Sequence, residues 1–100
     1  MYYVYLLKSL KDKKLYIGYS NDLKKRLEKH REGKVKSTKY RRPLVLVYYE
    51  AYKSEEDAKE REKQLKHFGK SYSQLKRKIR KSIKGSMDDT NAWKVRESRI

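Results

Sequence analysis

The sequence predicts an α+β domain: a small three-stranded antiparallel sheet flanked by helices, in the order β-β-α-β-α-α. Three observations predict it. Two aromatic and aliphatic runs, residues 2–8 and 14–19, stand on either side of a short polar stretch, as in a hairpin. A third run, residues 44–49, is continuously apolar. Elsewhere Leu and Ile recur three and four residues apart, the spacing of one helix face.

Each element has its own justification. Residues 2–8 (YYVYLLK) contain no breaker, and residues 9–13 carry turn-type residues. A hairpin symmetric about Leu10 and Lys11 sets Tyr5 directly opposite Tyr16. Ser20, Asn21 and Asp22 form a helix start, with Ser or Asn as the cap and Asp22 suited to the helix dipole. That helix carries Leu23 and Leu27 on its apolar stripe, runs to about Glu32 and stops at Gly33. A basic loop, 34–43, ends at Pro43. The unbroken run LVLVYY reads as a strand covered on both faces, which puts it at the centre of the sheet with helices on both sides. Ser54, followed by Glu55, Glu56 and Asp57, caps a second helix ending near Phe68 and Gly69. A third helix spans about 71–84, with Tyr72, Leu75, Ile79 and Ile83 as its stripe.

The charge bounds the function. The 100 residues carry a formal net charge of +16. Residues 86–100 hold three basic and three acidic residues, so the excess sits entirely in residues 1–85. The expected organisation is one domain over 1–85 and a polar, mobile tail over 86–100 containing Trp93. A charge of this size attracts polyanions, nucleic acid first and an anionic membrane surface second. With no cysteine, disulfides and thiolate metal sites are excluded. No apolar run approaches the length of a membrane span, and no export signal stands before the first strand, so a cytoplasmic protein is expected. Ten tyrosines are present; strand preference explains most of them, and so many in a small chain suggests that some face a wet, functional surface.

Several residues look chemical. Glu62 lies four after Ala58 and three before Leu65, on the side of the second helix that, with Phe68, should face the sheet. Arg61 and Lys63 point more outward. A carboxylate on that side is costly unless paired, protonated or metal-bound; the plain alternative is an edge residue reaching water or Arg26. Arg26 and His30, four apart beside Leu23 and Leu27, either lean over the sheet or are solvated residues of a basic helix. Tyr16 and Gly18 share a strand face, and Gly18 lets another group approach the backbone. Two tyrosines, Arg26, His30 and Glu62 are the types that phosphodiester hydrolysis uses. One carboxylate holds Mg²⁺ poorly by itself, but Mg²⁺ keeps waters and takes substrate phosphate as a ligand. Zinc spacings and Gly-rich phosphate loops are absent.

The order of these residues resembles a known family. Tyr3-Val4-Tyr5, Tyr16-Ile17-Gly18, Asn21-Asp22-Leu23, Arg26-Leu27 and His30 resemble the GIY-YIG nucleases. Thr38-Lys39, Arg42-Pro43, Leu46-Val47-Tyr48, Glu50 and Arg61-Glu62-Lys63-Gln64-Leu65-Lys66 look like its stand-alone, single-domain branch. The likeness covers about residues 2–70, and it departs in having Tyr3 where the first motif begins with glycine. The resemblance implies one divalent ion, Mg²⁺ or Mn²⁺, on Glu62. It implies Arg26 on the phosphate, Tyr5 or Tyr16 activating water, and His30 assisting.

The expected function is therefore a metal-dependent DNA endonuclease of low or structure-directed specificity, with DNA repair among the pathways open to it. Lys39, Arg41, Arg42, Lys76, Arg77 and Arg80 would contact the DNA backbone, which binds without reading sequence. A monomer or weak dimer is expected, and a protein partner for targeting is left open. The alternative is a non-catalytic nucleic-acid-binding module that keeps the fold. A membrane-surface role for the basic helix ranks third, because its apolar stripe is narrow and lacks Trp and Phe.

Overall fold

The computed structural model describes residues 1–85. The expected tail, 86–100, with Trp93, lies outside the described residues. Three strands, β1 (Tyr2–Ser9), β2 (Leu15–Ser20) and β3 (Leu44–Tyr52), form one antiparallel sheet in the order β2-β1-β3. The helices are α1 (Leu23–Arg31), α2 (Glu55–His67), α3 (Gly69–Lys78) and the short α4 (Arg80–Gly85). The α+β architecture is the expected one, with helices on both faces of the sheet.

The central strand is β1, not the 44–49 run. Val4, Tyr5, Leu6 and Leu7 are all buried, odd residues toward α1 and even residues toward α2 and α3. Leu44 and Leu46 join the cluster under α1, while Val47 joins the other. A continuous apolar run reports cover on both faces, which an edge strand can also have. It does not report how many neighbours the strand has.

The hairpin also differs from the symmetric expectation. Tyr5 pairs with Gly18, and Tyr16 pairs with Leu7. The turn is centred one residue later, because Lys13 adopts a left-handed conformation, φ 62°, and donates its N–H to Ser9 O. The offset is two residues, an even number, so Tyr5 and Tyr16 still share a face. Ser9 Oγ accepts the N–H groups of Lys11 and Asp12 and donates to Arg41 O at 2.6 Å. One buried hydroxyl thus ties the hairpin turn to the loop that enters β3.

Asp22 itself caps α1, accepting the Lys25 N–H at 3.1 Å, while Ser20 braces Asp22. Gly33 ends the helix at φ +76°, and the Arg42 guanidinium lies against it. Ser54 caps α2 as expected. The expected 71–84 helix is two helices, because the backbone kinks at Ile79. Leu75 and Ile79 are buried and Ile83 packs beside them, so the apolar stripe survives the break. Phe68 is 54% exposed and does not face the sheet as expected, since it occupies the junction between α2 and α3.

Replacing Ser9 by Ala removes the acceptor of two turn N–H groups and the donor to Arg41 O, and should cost about 1–2 kcal/mol. Tyr40→Ala, at a residue 75% exposed, should change stability by no more than about 0.5 kcal/mol. Urea denaturation midpoints of the two variants test the contrast.

Candidate active site

The face of the sheet under α1 gathers four of the five residues singled out for chemistry. Tyr5, on the central strand, is fully buried. Its ring lies across Gly18, where an added Cβ would fall 2.3 Å from Tyr5 Cζ. Glycine at 18 is thus the condition for this placement, and a bulge is not needed to explain it. Tyr16, half-buried on β2, completes the hairpin side.

Burial of Leu23 and Leu27 turns α1 so that His30, one turn beyond Leu27, points inward. His30 is fully buried, which rules out the solvated reading. Its Nε2 lies 2.8 Å from Tyr5 Oη and its Nδ1 lies 2.7 Å from Thr38 Oγ1. The His30 ring also packs edge-on against Tyr5 and Tyr16, at centroid separations of 5.6 and 5.2 Å. Burial, aided by the charge of Arg26, lowers the His30 pKa to about 4, so the imidazole is neutral at pH 7. Burial pushes the Tyr5 phenol well above its ordinary range, opposed by Arg26.

Arg26, half-buried on α1, stands beside both phenols, which hold it more firmly in its charged form. Its Nε is buried and has no hydrogen-bond partner within the chain. A cationic donor left open in this way is suited to an anion. The opening beside it is a groove of about 240 Å³ lined by Ser20, Asn21, Asp22, Lys25, Arg26 and Lys29. Lys25 and Lys29 carried no expectation, although their spacing of four beside Arg26 could have signalled them.

Glu62 comes from α2, between buried Ala58 and Leu65, with its side chain 22% exposed. It pairs with Lys66 at 3.1 Å, not with Arg26. It lies close enough to Tyr5 and Tyr19 for its charge to raise both phenols. Among the described residues no group of three or more acidic or histidine side chains could hold a metal. A lone, partly buried carboxylate offers oxygen donors only. It suits a hard cation that fills its other positions with water and phosphate.

Arg61 does not point outward. It folds onto the end of β3 and donates to both oxygens of Glu50, at 2.9 and 3.0 Å. Tyr48 and Tyr52 donate to the same carboxylate. Burial alone would raise Glu50, but Arg61 and the phenols outweigh it and hold the carboxyl below its usual range. This pairing fixes α2, and with it Glu62, to the sheet. Local spacing assigns no role to Glu50 or to Thr38, since their partners are eleven and eight residues away.

The basic residues separate into two groups. Arg41 pairs with Asp12 at 2.8 Å, and Arg42 donates to Lys39 O and Arg31 O, so both brace the loop before β3. Lys39 lies over the exposed Tyr40 ring. Lys76, Arg77 and Arg80 line a separate cleft of about 360 Å³ with Lys8, Ile83 and Lys84.

The His30 pKa implies a pH dependence. The unfolded chain takes up a proton near 6.5, whereas the folded protein resists to about 4. The neutral imidazole therefore supports stability fully above 6.5, and that support is lost as pH falls from 6.5 to 4. Between pH 7 and pH 5 the native protein should lose about 2 kcal/mol more than His30→Gln, read as denaturation midpoints at the two pH values.

Comparison with known proteins agrees with this fold. The chain is 43% identical over 70 residues to a UPF0213 protein of Staphylococcus saprophyticus, covering 69% of this chain and 84% of the relative. It is 53% identical over 57 residues to a UPF0213 protein of Streptococcus pyogenes serotype M3, covering 56% and 61%. The solution NMR structure of a UPF0213 protein from Bacillus halodurans superposes with a TM-score of 0.53 at 33% identity, covering 88% of this chain and 98% of that one. A family model described as the GIY-YIG catalytic domain matches residues 1–78. That span takes in Tyr5, Tyr16, Arg26, His30 and Glu62, and the chain belongs to the GIY-YIG nuclease family, alongside the UPF0213 proteins.

Proposed function

We propose that the protein is a metal-dependent endonuclease that hydrolyses DNA phosphodiester bonds with low or structure-directed specificity. The observation that carries this reading is the unpartnered, buried Nε of Arg26, a residue that stands beside Tyr5 and Tyr16 and lines a groove together with Lys25 and Lys29.

Arg26 binds the scissile phosphate, and its charge stabilises the transition state. Glu62 would hold one Mg²⁺ or Mn²⁺, which supplies further positive charge at the phosphate and the leaving oxygen. Tyr16, half-exposed, is the phenol within reach of water, whereas Tyr5 is sealed inside. Tyr5, His30 and Thr38 form a hydrogen-bonded chain behind the site. The neutral imidazole accepts from one neighbour and donates to the other, which holds the Tyr5 ring in one orientation. Lys25 and Lys29, with Lys39 and the Lys76, Arg77 and Arg80 group, track the DNA backbone without reading bases. We place the protein in the cytoplasm, acting as a monomer or weak dimer. Among the described residues no helix is long and apolar enough to cross a membrane.

One observation favours a binding module without catalysis. Burial moves Tyr5 up and His30 down, so neither is a strong base at pH 7 in the free protein. A cleavage assay on supercoiled plasmid and on a branched duplex separates the readings. Wild type should cut with Mg²⁺ and not with EDTA, and Glu62→Ala should lose at least about 100-fold in rate. Tight binding without cutting, equal in the two proteins, would assign the chain to the binding class.

The basic cleft has its own test. Replacing Lys76, Arg77 and Arg80 together by Ala should reduce the slope of log affinity against log salt by about 2 to 3, roughly 0.9 for each phosphate no longer neutralised. An unchanged slope would take that cleft out of the interface.

A further inference from the structure

Two aromatic residues beside the site have no part in the chemistry so far described. Tyr3 and Tyr49 form an edge-to-face pair, with ring centroids 6.1 Å apart and planes at 62°. Tyr3 packs on the leucine cluster under α1. Tyr49 is 41% exposed. We propose that Tyr49, braced by Tyr3, is a stacking platform for an unpaired nucleobase flanking the scissile phosphate, so that the preferred substrate is DNA with a displaced or single-stranded nucleotide at the cut. This inference rests on the nuclease reading of the site and narrows it to a substrate class.

The placement of Tyr49 follows from the backbone. Strand β3 carries a bulge: Leu6 pairs with Tyr48 and Leu7 with Leu46, so Val47 is the extra residue. A bulge re-aims every side chain beyond it. Tyr48, Glu50 and Tyr52 go to the α2 face, where they hold Arg61. Tyr49 goes to the other face, directly across from Tyr5. Directly paired residues of antiparallel strands stand about 4.5–5.5 Å apart at Cα. One row across the sheet therefore reads Gly18, Tyr5, Tyr49, from a backbone approach through a buried phenol to an exposed ring.

Charge complementarity identifies the occupant. The chain carries +16, and Arg26, Lys25 and Lys29 line the groove next to Tyr5. A strand whose phosphate sits at Arg26 brings the adjoining base over the same end of the sheet. A base inside a duplex has both faces covered by its neighbours, so only an unpaired base can offer a face to Tyr49. Aromatic side chains displayed on a sheet are a general means of holding single-stranded nucleic acid, because every base has a π-face.

The test measures binding in EDTA, where no cutting occurs. The probe is an oligonucleotide carrying 2-aminopurine, whose fluorescence falls on stacking. It is used single-stranded, as a one-nucleotide flap on a duplex, and fully paired. Tyr49→Ala should weaken binding to the first two by roughly 5- to 100-fold and abolish the fluorescence change, leaving the paired duplex unaffected. Tyr49→Phe, which keeps the ring, should behave as wild type. Equal losses on paired and unpaired DNA, no loss on either, or a loss in Tyr49→Phe as large as in Tyr49→Ala, would each overturn the proposal. So would a change confined to self-association on sedimentation, which would make the ring pair a contact between copies. Failure of the nuclease reading has a different signature: no Mg²⁺-dependent cutting, with the dependence on Tyr49 intact.

Discussion

The Tyr5 ring lies so close to the Gly18 backbone that no side chain fits between them, and much of the site is arranged around this approach. Because the ring occupies that space, the phenol reaches His30 on α1. Because His30 is met there, its other nitrogen reaches Thr38, which lies in the segment leading to β3. A single close approach between neighbouring strands thereby connects the hairpin, the first helix and the loop that follows it. Any side chain at 18 would displace the ring, and the hydrogen-bonded chain behind it would lose its first member.

Electrostatics on the two faces of the sheet follow opposite rules. On the α2 face, Arg61 bonds both oxygens of Glu50, and two phenols fill the remaining acceptor sites of the carboxylate. That pair is structural, and its closure fixes the helix that carries Glu62. On the α1 face, Arg26 is left with an open buried donor, and His30 is kept neutral by burial and by the Arg26 charge. Satisfied charge marks the scaffold and unsatisfied charge marks the site.

How much of this was legible depended on the range of the interaction. Helix faces follow from spacings of three and four, so the inward lean of Arg26, His30 and Glu62 could be read from single helices. Strand parity is equally local, and Tyr5 and Tyr16 kept a common face even though the turn centre moved. The order of strands, the bulge at Val47, the Glu50–Arg61 pair and the His30–Thr38 contact join different elements, and no local period encodes them. The same limit explains Phe68 and the kink at Ile79, where a junction between packed helices overrode a regular stripe. The bonds of Arg41 to Asp12 and of Arg42 to Arg31 O likewise join segments that no local spacing links.

The extra residue in β3 gives the strand slack. Val47 and Tyr48 both stand against Leu6 and both pack on the α2 side, whereas Leu46 lies on the other. Without Val47 the strand would alternate regularly, with Tyr48, Tyr49 and Glu50 still opposite Leu6, Tyr5 and Val4. Glu50 would keep Arg61, and Tyr49 would stay across from Tyr5. The stretch around Val47 is therefore where a chain of this fold can change length by one residue without altering its site.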